Sequence, residues 1–182
     1  MKLTKLIFLF ALTIATVSCS KNDDDNNAPD PYKLTTANFV DTYSMNFLEL
    51  KVVETVTFNN GSTSTSSSTT RGSIFQNVNF VFNADGTFAA SGLYTTVETV
   101  INPDGSTVTN DPVIRNAAEE IGAGTYILNP TSKILTVIDQ DDNQVVFEIT
   151  IYSETEMRLY SEMSVTSGNS TTVTTQDLRF SR

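Results

Sequence analysis

The sequence predicts an all-β fold: an antiparallel up-and-down meander of about eight to ten strands closed into a barrel, with one or two short helices. Three observations predict it. The stretch Ile74 to Tyr94 sets apolar residues on one face on both sides of Asn83-Ala84-Asp85-Gly86-Thr87, as a half-buried antiparallel hairpin requires. Turn pairs that tolerate positive φ recur at Asn60-Gly61, Asp85-Gly86 and Asp104-Gly105. From Ile134 onward, turns assigned by their residues alone keep one apolar face aligned through four strands.

Three segments follow from composition. Residues 1–18 carry Lys2 and Lys5, then apolar and small residues from Leu6 to Val17, which are the physical requirements of a secretory leader too short to span a bilayer. Cys19 is the only cysteine in the chain and stands where cleavage falls. Residues 19–32 hold three consecutive aspartates and two prolines with almost no apolar surface, so they read as an acidic tether. The remainder, residues 33–182, suits a single domain.

Charge and missing residue types exclude several functions. The formal net charge is −10 and becomes more negative once Lys2 and Lys5 leave with the leader, which argues against nucleic acid and against a basic membrane-docking face. The chain has no histidine, so neither a Ser-His-Asp nor a Cys-His nucleophile can be built, nor a histidine-ligated zinc site. Asp139, Asp141, Asp142 and Asn143 offer oxygen ligands within five residues, yet no glycine makes the sharp turn and no glutamate follows at loop spacing. That cluster reads as a solvated hairpin tip. Nothing places Glu119-Glu120 and another carboxylate across a sugar as a glycosidase pair. No enzyme activity, metal or cofactor is expected.

Within the domain, residues 33–45 contain a cap at Thr35 or Thr36 and place Phe39 and Tyr43 four apart, as one helical turn that packs both rings under a sheet. Phe47 to Phe58 is β-rich, with Leu48, Leu50, Val52, Val56 and Phe58 on one face, and turns at Asn60-Gly61. Ser62 to Thr70, all serine and threonine, pairs back on it as a wet tip with weakly specified register. In the central hairpin Phe82 should face Phe88, Phe80 face Ala90 and Val78 face Gly92. The strand from Thr87 to Ile101 is too long for one barrel wall, so Gly92 is a candidate bend. Asn102 to Ser106 repeats the first turn and sets Val100 opposite Val108.

Asp111 to Gly122 changes texture. Asp111 can cap, Pro112 can take the first helical position, and Ile114, Ala117, Ala118 and Ile121 would share a face, giving a helical lid. An irregular strand extension is the other reading. Beyond it, Tyr126 and Leu128 lead to a turn at Pro130-Thr131-Ser132. An even-numbered loop after Ile138 would set Ile138, Thr136 and Ile134 opposite Val145, Phe147 and Ile149. Ile151 then meets Met157, Ile149 meets Leu159, Leu159 meets Leu178, and Met157 meets Phe180.

Three resemblances follow from these residues. The stretch T-V-S-C-S at Thr16 to Ser20 resembles the lipobox of bacterial lipoproteins, which implies diacylation of Cys19 and membrane attachment through it. The acidic run after Cys19 resembles the signal that sends lipoproteins of Bacteroidota-type bacteria to the outer face of the outer membrane. The segments Phe82 to Phe88 (F-x-x-D-G-T-F), Gly124 to Leu128 (G-T-Y-x-L), Ile134 to Ile138 (I-L-T-V-I) and Leu178 to Phe180 (L-R-F) are similar to the lipocalin-like lipoproteins of such bacteria. That similarity implies a monomeric lipocalin-like barrel that binds a small molecule in its mouth. Tyr43 would stand in place of the family's tryptophan, with Arg179 as its arginine partner.

Two functional readings stay open. In one, a lipid-anchored, surface-exposed barrel binds a small apolar or amphipathic molecule, with Phe80, Phe82, Phe88, Tyr94, Tyr126, Phe147 and Met163 lining the cavity. In the other, those side chains fill a solid core, and the loops of a structural or interaction lipoprotein meet a protein or glycan.

Overall fold

The computed structural model describes residues 32–182; the leader, Cys19 and the tether through Pro31 lie outside the described residues. The chain runs α1 (Thr36–Phe39), β1 (Thr42–Thr57), β2 (Thr63–Phe82), β3 (Thr87–Ile101), β4 (Thr107–Thr109), β5 (Val113–Asn116), α2 (Ala117–Glu120), β6 (Ala123–Asn129), β7 (Ile134–Asp139), β8 (Gln144–Tyr152), β9 (Glu156–Ser167) and β10 (Ser170–Ser181). All pairings are antiparallel, and β2-β1-β10-β9-β8-β7-β6-β3 closes on itself through β2–β3 into a ring of eight strands. The outer edge of β3 is covered in pieces. Thr87 to Ala89 meet β6, Leu93 to Thr96 meet β5, and Thr99 to Ile101 meet β4.

Strand lengths make the ring lopsided. β1, β2 and β3 have 16, 20 and 15 residues and β9 and β10 have 12 each, whereas β6, β7 and β8 have 7, 6 and 9. At roughly 3.3 Å per residue the short strands reach about 20–30 Å and the others about 40 Å or more. A tall wall therefore rises past a short one. Gly92 lies at the expected bend, with φ +97°, but the excess length of β3 continues upward as part of the tall wall.

Turn chemistry sets the register. At Asn83 to Thr87 the Asn83 amide donates to Thr87 O and Gly86 to Asn83 O, with Gly86 at φ +83°. Phe82 faces Phe88, Phe80 faces Ala90 and Val100 faces Val108, as the sequence predicts. Below that, β2 carries two extra residues relative to β3, and Ile74 and Asn77 take positive φ there. Each bulge reverses the in-out alternation of the residues beyond it. The first displaces Val78 from register with Gly92. It also turns Phe75 inward, against Tyr94 at 6.2 Å between rings, and leaves Gln76 exposed.

Three other expectations are corrected. The β7–β8 register differs by one residue: Ile138 faces Gln144, Val137 faces Val145 and Leu135 faces Phe147. The loop is the same type as the turn at Gly86, with Asp139 opposite Asn143 and Asp142 at φ +61° where the others have glycine. Leu135 and Val137, not Ile134, Thr136 and Ile138, thus face the core. A second shift between Ile149 and Ile151 puts Tyr152, rather than Ile151, opposite Met157, whereas Ile149–Leu159, Leu159–Leu178 and Met157–Phe180 hold as expected. Finally, residues 111–122 are not one helix. β-Branched Val113 and Ile114 extend the sheet along β3, and only Ala117–Glu120 is helical, capped by Asn116, whose side chain accepts from the Ala118 amide.

One end of the ring is sealed. Thr35 caps α1 by accepting from Asn38 N at 3.0 Å, and the turn drives Phe39 to full burial among Phe82 (4.8 Å), Tyr126 (5.6 Å) and Tyr43 (5.8 Å). Tyr43 Oη donates to Phe39 O, and Tyr152 Oη donates to Asn38 O. Arg182 closes the seal, donating to Asp41 Oδ2 at 2.8 Å and Asn38 O at 2.7 Å. The guanidinium over Tyr43, 5.8 Å from the ring centroid, is therefore that of Arg182 and not Arg179. Alternation explains the difference, because Phe180 points inward and sends Arg179 outward over Phe47.

Candidate functional site

Away from the seal, the ring does not fill. A cavity of about 430 Å³ opens toward the tall end, within the usual size range of small-ligand pockets. Its apolar lining comes from all round the ring: Leu48 and Leu50 of β1, Phe80 and Phe82 of β2, Phe88 and Tyr94 of β3, Val137 of β7, Val145 and Phe147 of β8, Leu159 of β9 and Leu178 of β10. Polar groups gather above this floor. They are Glu49, Thr70, Thr96, Gln176, Asp139 and Asn143 from the strands and turn, and Arg115 and Glu120 from the β5–α2 segment, with Glu49 paired to Arg71 at 2.6 Å.

Of the seven residues expected to line the site, five do so: Phe80, Phe82, Phe88, Tyr94 and Phe147. Tyr126 is buried below the cavity, edge-on to Phe82 at 5.1 Å, and its Oη donates to Asn83 O at 2.7 Å. Met163 is exposed on the tall wall, too far along β9 to reach the cavity. Parity puts it on the inward face, but parity does not say where the opposite wall stops. Arg115, Glu120 and Ile121 have no signal beyond the Asp111–Gly122 texture, since their place depends on β5 pairing with β3.

Tyr94 is the polar group best placed to meet a ligand. It is 6% exposed, and among the described residues its hydroxyl bonds no protein group. Burial raises the pKa of that hydroxyl, with a further push from Glu120, so it stays a neutral donor and acceptor at physiological pH. Arg115 and Glu120 pair at 3.0 Å, and Arg115 Nε donates to Thr96 Oγ1 at 3.4 Å, tying the segment to β3 across the mouth. Asp139 is committed to its own turn, accepting from the Asp141 and Asn143 amides and from Asn143 Nδ2. Those bonds, that of the Asn143 side chain foremost, hold its carboxyl below the usual range.

No family model, curated protein or solved structure matches the chain.

Proposed function

We propose that this chain is a lipid-anchored, surface-exposed outer-membrane lipoprotein, held by acylated Cys19, whose lipocalin-like barrel binds a small apolar or amphipathic molecule. The observation that carries the binding reading is the cavity of about 430 Å³, with aromatic and aliphatic walls and, in its lining, Tyr94, whose hydroxyl bonds no protein group among the described residues. Apolar walls supply affinity through burial, and a few placed polar groups supply orientation. The proposal is a non-catalytic one: the charged side chains lining the cavity include Arg115 and Glu120, paired with each other, and Glu49, paired with Arg71. The anchoring reading rests on the leader, the lone cysteine and the acidic run behind it.

Native mass spectrometry of the purified protein tests the binding reading. The expected result is one small molecule per chain, either co-purified or taken up as the neutral dye N-phenylnaphthylamine. Val145→Phe, which fills the cavity from β8, should abolish uptake. A bare mass together with no saturable dye signal would return the barrel to the solid-core reading. Cys19→Ser should move the protein from the membrane fraction to the soluble fraction; retention at the membrane would sink the anchor.

A further inference from the structure

Above the cavity the tall wall continues alone, and its inner face is continuous with the cavity lining. The strands that supply Leu50, Thr70, Gln176 and Leu178 to the cavity run on without a register break, so the same face carries Val52, Glu54 and Val56 of β1, Ser64, Ser66 and Ser68 of β2, and Thr172 and Thr174 of β10. On the outer face some threonine hydroxyls engage one another across strands, as in Thr55–Thr65 at 3.3 Å, Thr99–Thr109 at 3.4 Å and Thr166–Thr171 at 3.1 Å, while those of Ser67, Thr69 and Thr175 bond no protein group among the described residues. On the inner face Ser170 engages Glu54 across strands, and most of the other hydroxyls are free. Among the described residues, the hydroxyls of Ser64, Ser66, Ser68, Thr70, Thr172 and Thr174 bond no protein group, although all six residues are half-buried.

Charge on this face has one sign. Glu54, which accepts from Ser170 Oγ at 2.8 Å, and Glu98, which accepts from Asn110 Nδ2 at 2.9 Å, stand among the hydroxyls, and the cation lining the cavity below is Arg115, already paired with Glu120. An anionic group would meet two carboxylates. Both carboxylates hold hydrogen bonds from neighbours, so the polar groups the face offers are chiefly an array of neutral donors and acceptors at strand spacing, beside Val52, Val56, Met163 and Val165. An apolar cavity with Tyr94 in its lining opens directly onto that array, with Thr70 belonging to both.

We propose that the ligand is an amphiphile with an uncharged polyhydroxyl headgroup, its apolar tail in the cavity and its head laid against the inner Ser/Thr face of the tall wall. This rests on the binding reading above and adds the class of headgroup. Hydroxyls that each donate and accept suit a glycosyl group, whose own hydroxyls do the same. The absence of an opposite wall at this height leaves room for a head wider than the tail.

The test displaces N-phenylnaphthylamine from the purified protein with three amphiphiles that share a dodecyl tail: dodecyl maltoside, dodecanoate and dodecyltrimethylammonium. The maltoside should bind about tenfold more tightly than either charged compound, as two net hydrogen bonds would give. Ser66→Ala/Ser68→Ala should remove that advantage and leave dodecanoate unchanged. Thr65→Val/Ser67→Ala, on the outer face of the same strand, should change nothing and shows that the strand tolerates such loss. Equal binding of the three tails, tighter binding of a charged one, or indifference to the inner-face variant overturns the headgroup assignment while the cavity stands. A dye that never binds overturns the cavity reading, and with it this one.

Discussion

Gly92 is the position where a single methyl group should cost most. It faces the extra residue of β2 at Asn77, and a Cβ added to it would lie 2.2 Å from Asn77 O and 2.5 Å from the Asn77 carbonyl carbon. Its φ of +97° adds a second penalty. For an L residue the left-handed conformer costs about 1–2 kcal/mol. Relieving the contact means moving a strand backbone by about 1 Å, comparable to overpacking a core at about 1–3 kcal/mol. Gly92→Ala should therefore destabilise by about 2–5 kcal/mol, and with a urea m-value near ~2 kcal/mol per M its midpoint should fall by about 1–2.5 M. Gly105 is the control, because it has φ +82° and nothing within 4 Å of an added methyl group. Gly105→Ala bears only the conformational term, roughly 1 kcal/mol. If the two variants unfold at the same urea concentration, the close approach of β3 to the β2 bulge is not what fixes glycine at 92.

Two further perturbations test the electrostatics and the turns. Burial pushes the Asp177 carboxyl up, but hydrogen bonds from Arg158 and Arg179 outweigh it and hold its pKa below the ordinary 3.8. Its stabilising contribution is therefore fully present above pH 3.8 and is lost as pH falls through the lower folded value. Asp177→Asn should cost about 1–2 kcal/mol at neutral pH, the low end because the two guanidiniums remain 34% and 39% exposed, and the gap in urea midpoint should narrow below that window. A gap that is constant with pH would mean the loss is one of packing rather than charge. At the other turn, Asp142→Gly should raise stability by about 0.5–1 kcal/mol, since it relieves a φ of +61° at an exposed site; an unchanged or lower thermal midpoint would refute the assignment of that turn.

That turn also shows how far the sequence could be read. Phe58–Ser62, Asn83–Thr87 and Asn102–Ser106 close through the same pair of backbone hydrogen bonds as Asp139–Asn143, and glycine marks the left-handed position in the first three. Aspartate at 142 hides the fourth, and so the register of β7 against β8 is missed by one residue. The fold survives such a misreading because I-L-T-V-I is apolar on both faces, and either face can be buried. The bulges at Ile74 and Asn77 are poorly marked too: a β-branched residue such as Ile74 is an outlier at positive φ, and Asn77, of a type that tolerates it, stands among Asn79 and Asn83, which do not adopt it. What alternation did convey was the inward-facing set of Phe80, Phe82, Phe88, Tyr94 and Phe147: the first three lie beside the Gly86 turn, Tyr94 shares a strand and face with Phe88, and Phe147 shares a strand and face with Ile149, whose pairing with Leu159 holds. Met163 and the β5–α2 segment depend on where walls end and on which strand edge is vacant, and those are properties of the closed ring.

The two ends of that ring are built on opposite principles. At the sealed end, four aromatic rings, a capped turn and the Arg182–Asp41 pair converge, and the Tyr43 and Tyr152 hydroxyls and the Arg182 guanidinium are all bonded within the protein. At the open end, β6, β7 and β8 stop early, and the residues above them on the facing wall carry hydroxyls without protein partners beside exposed Met163, Val165 and Val108. A sheet that needed only to bury its own core would gain nothing from this extension, because each residue ordered there costs backbone entropy of about 1–2 kcal/mol and buries little in return. Antiparallel ladder bonds and cross-strand pairs such as Thr55–Thr65 hold the extension in register without a second layer. The asymmetry separates a part of the molecule whose contacts are internally complete from a part whose contacts are not, and the cavity lies at the boundary between them.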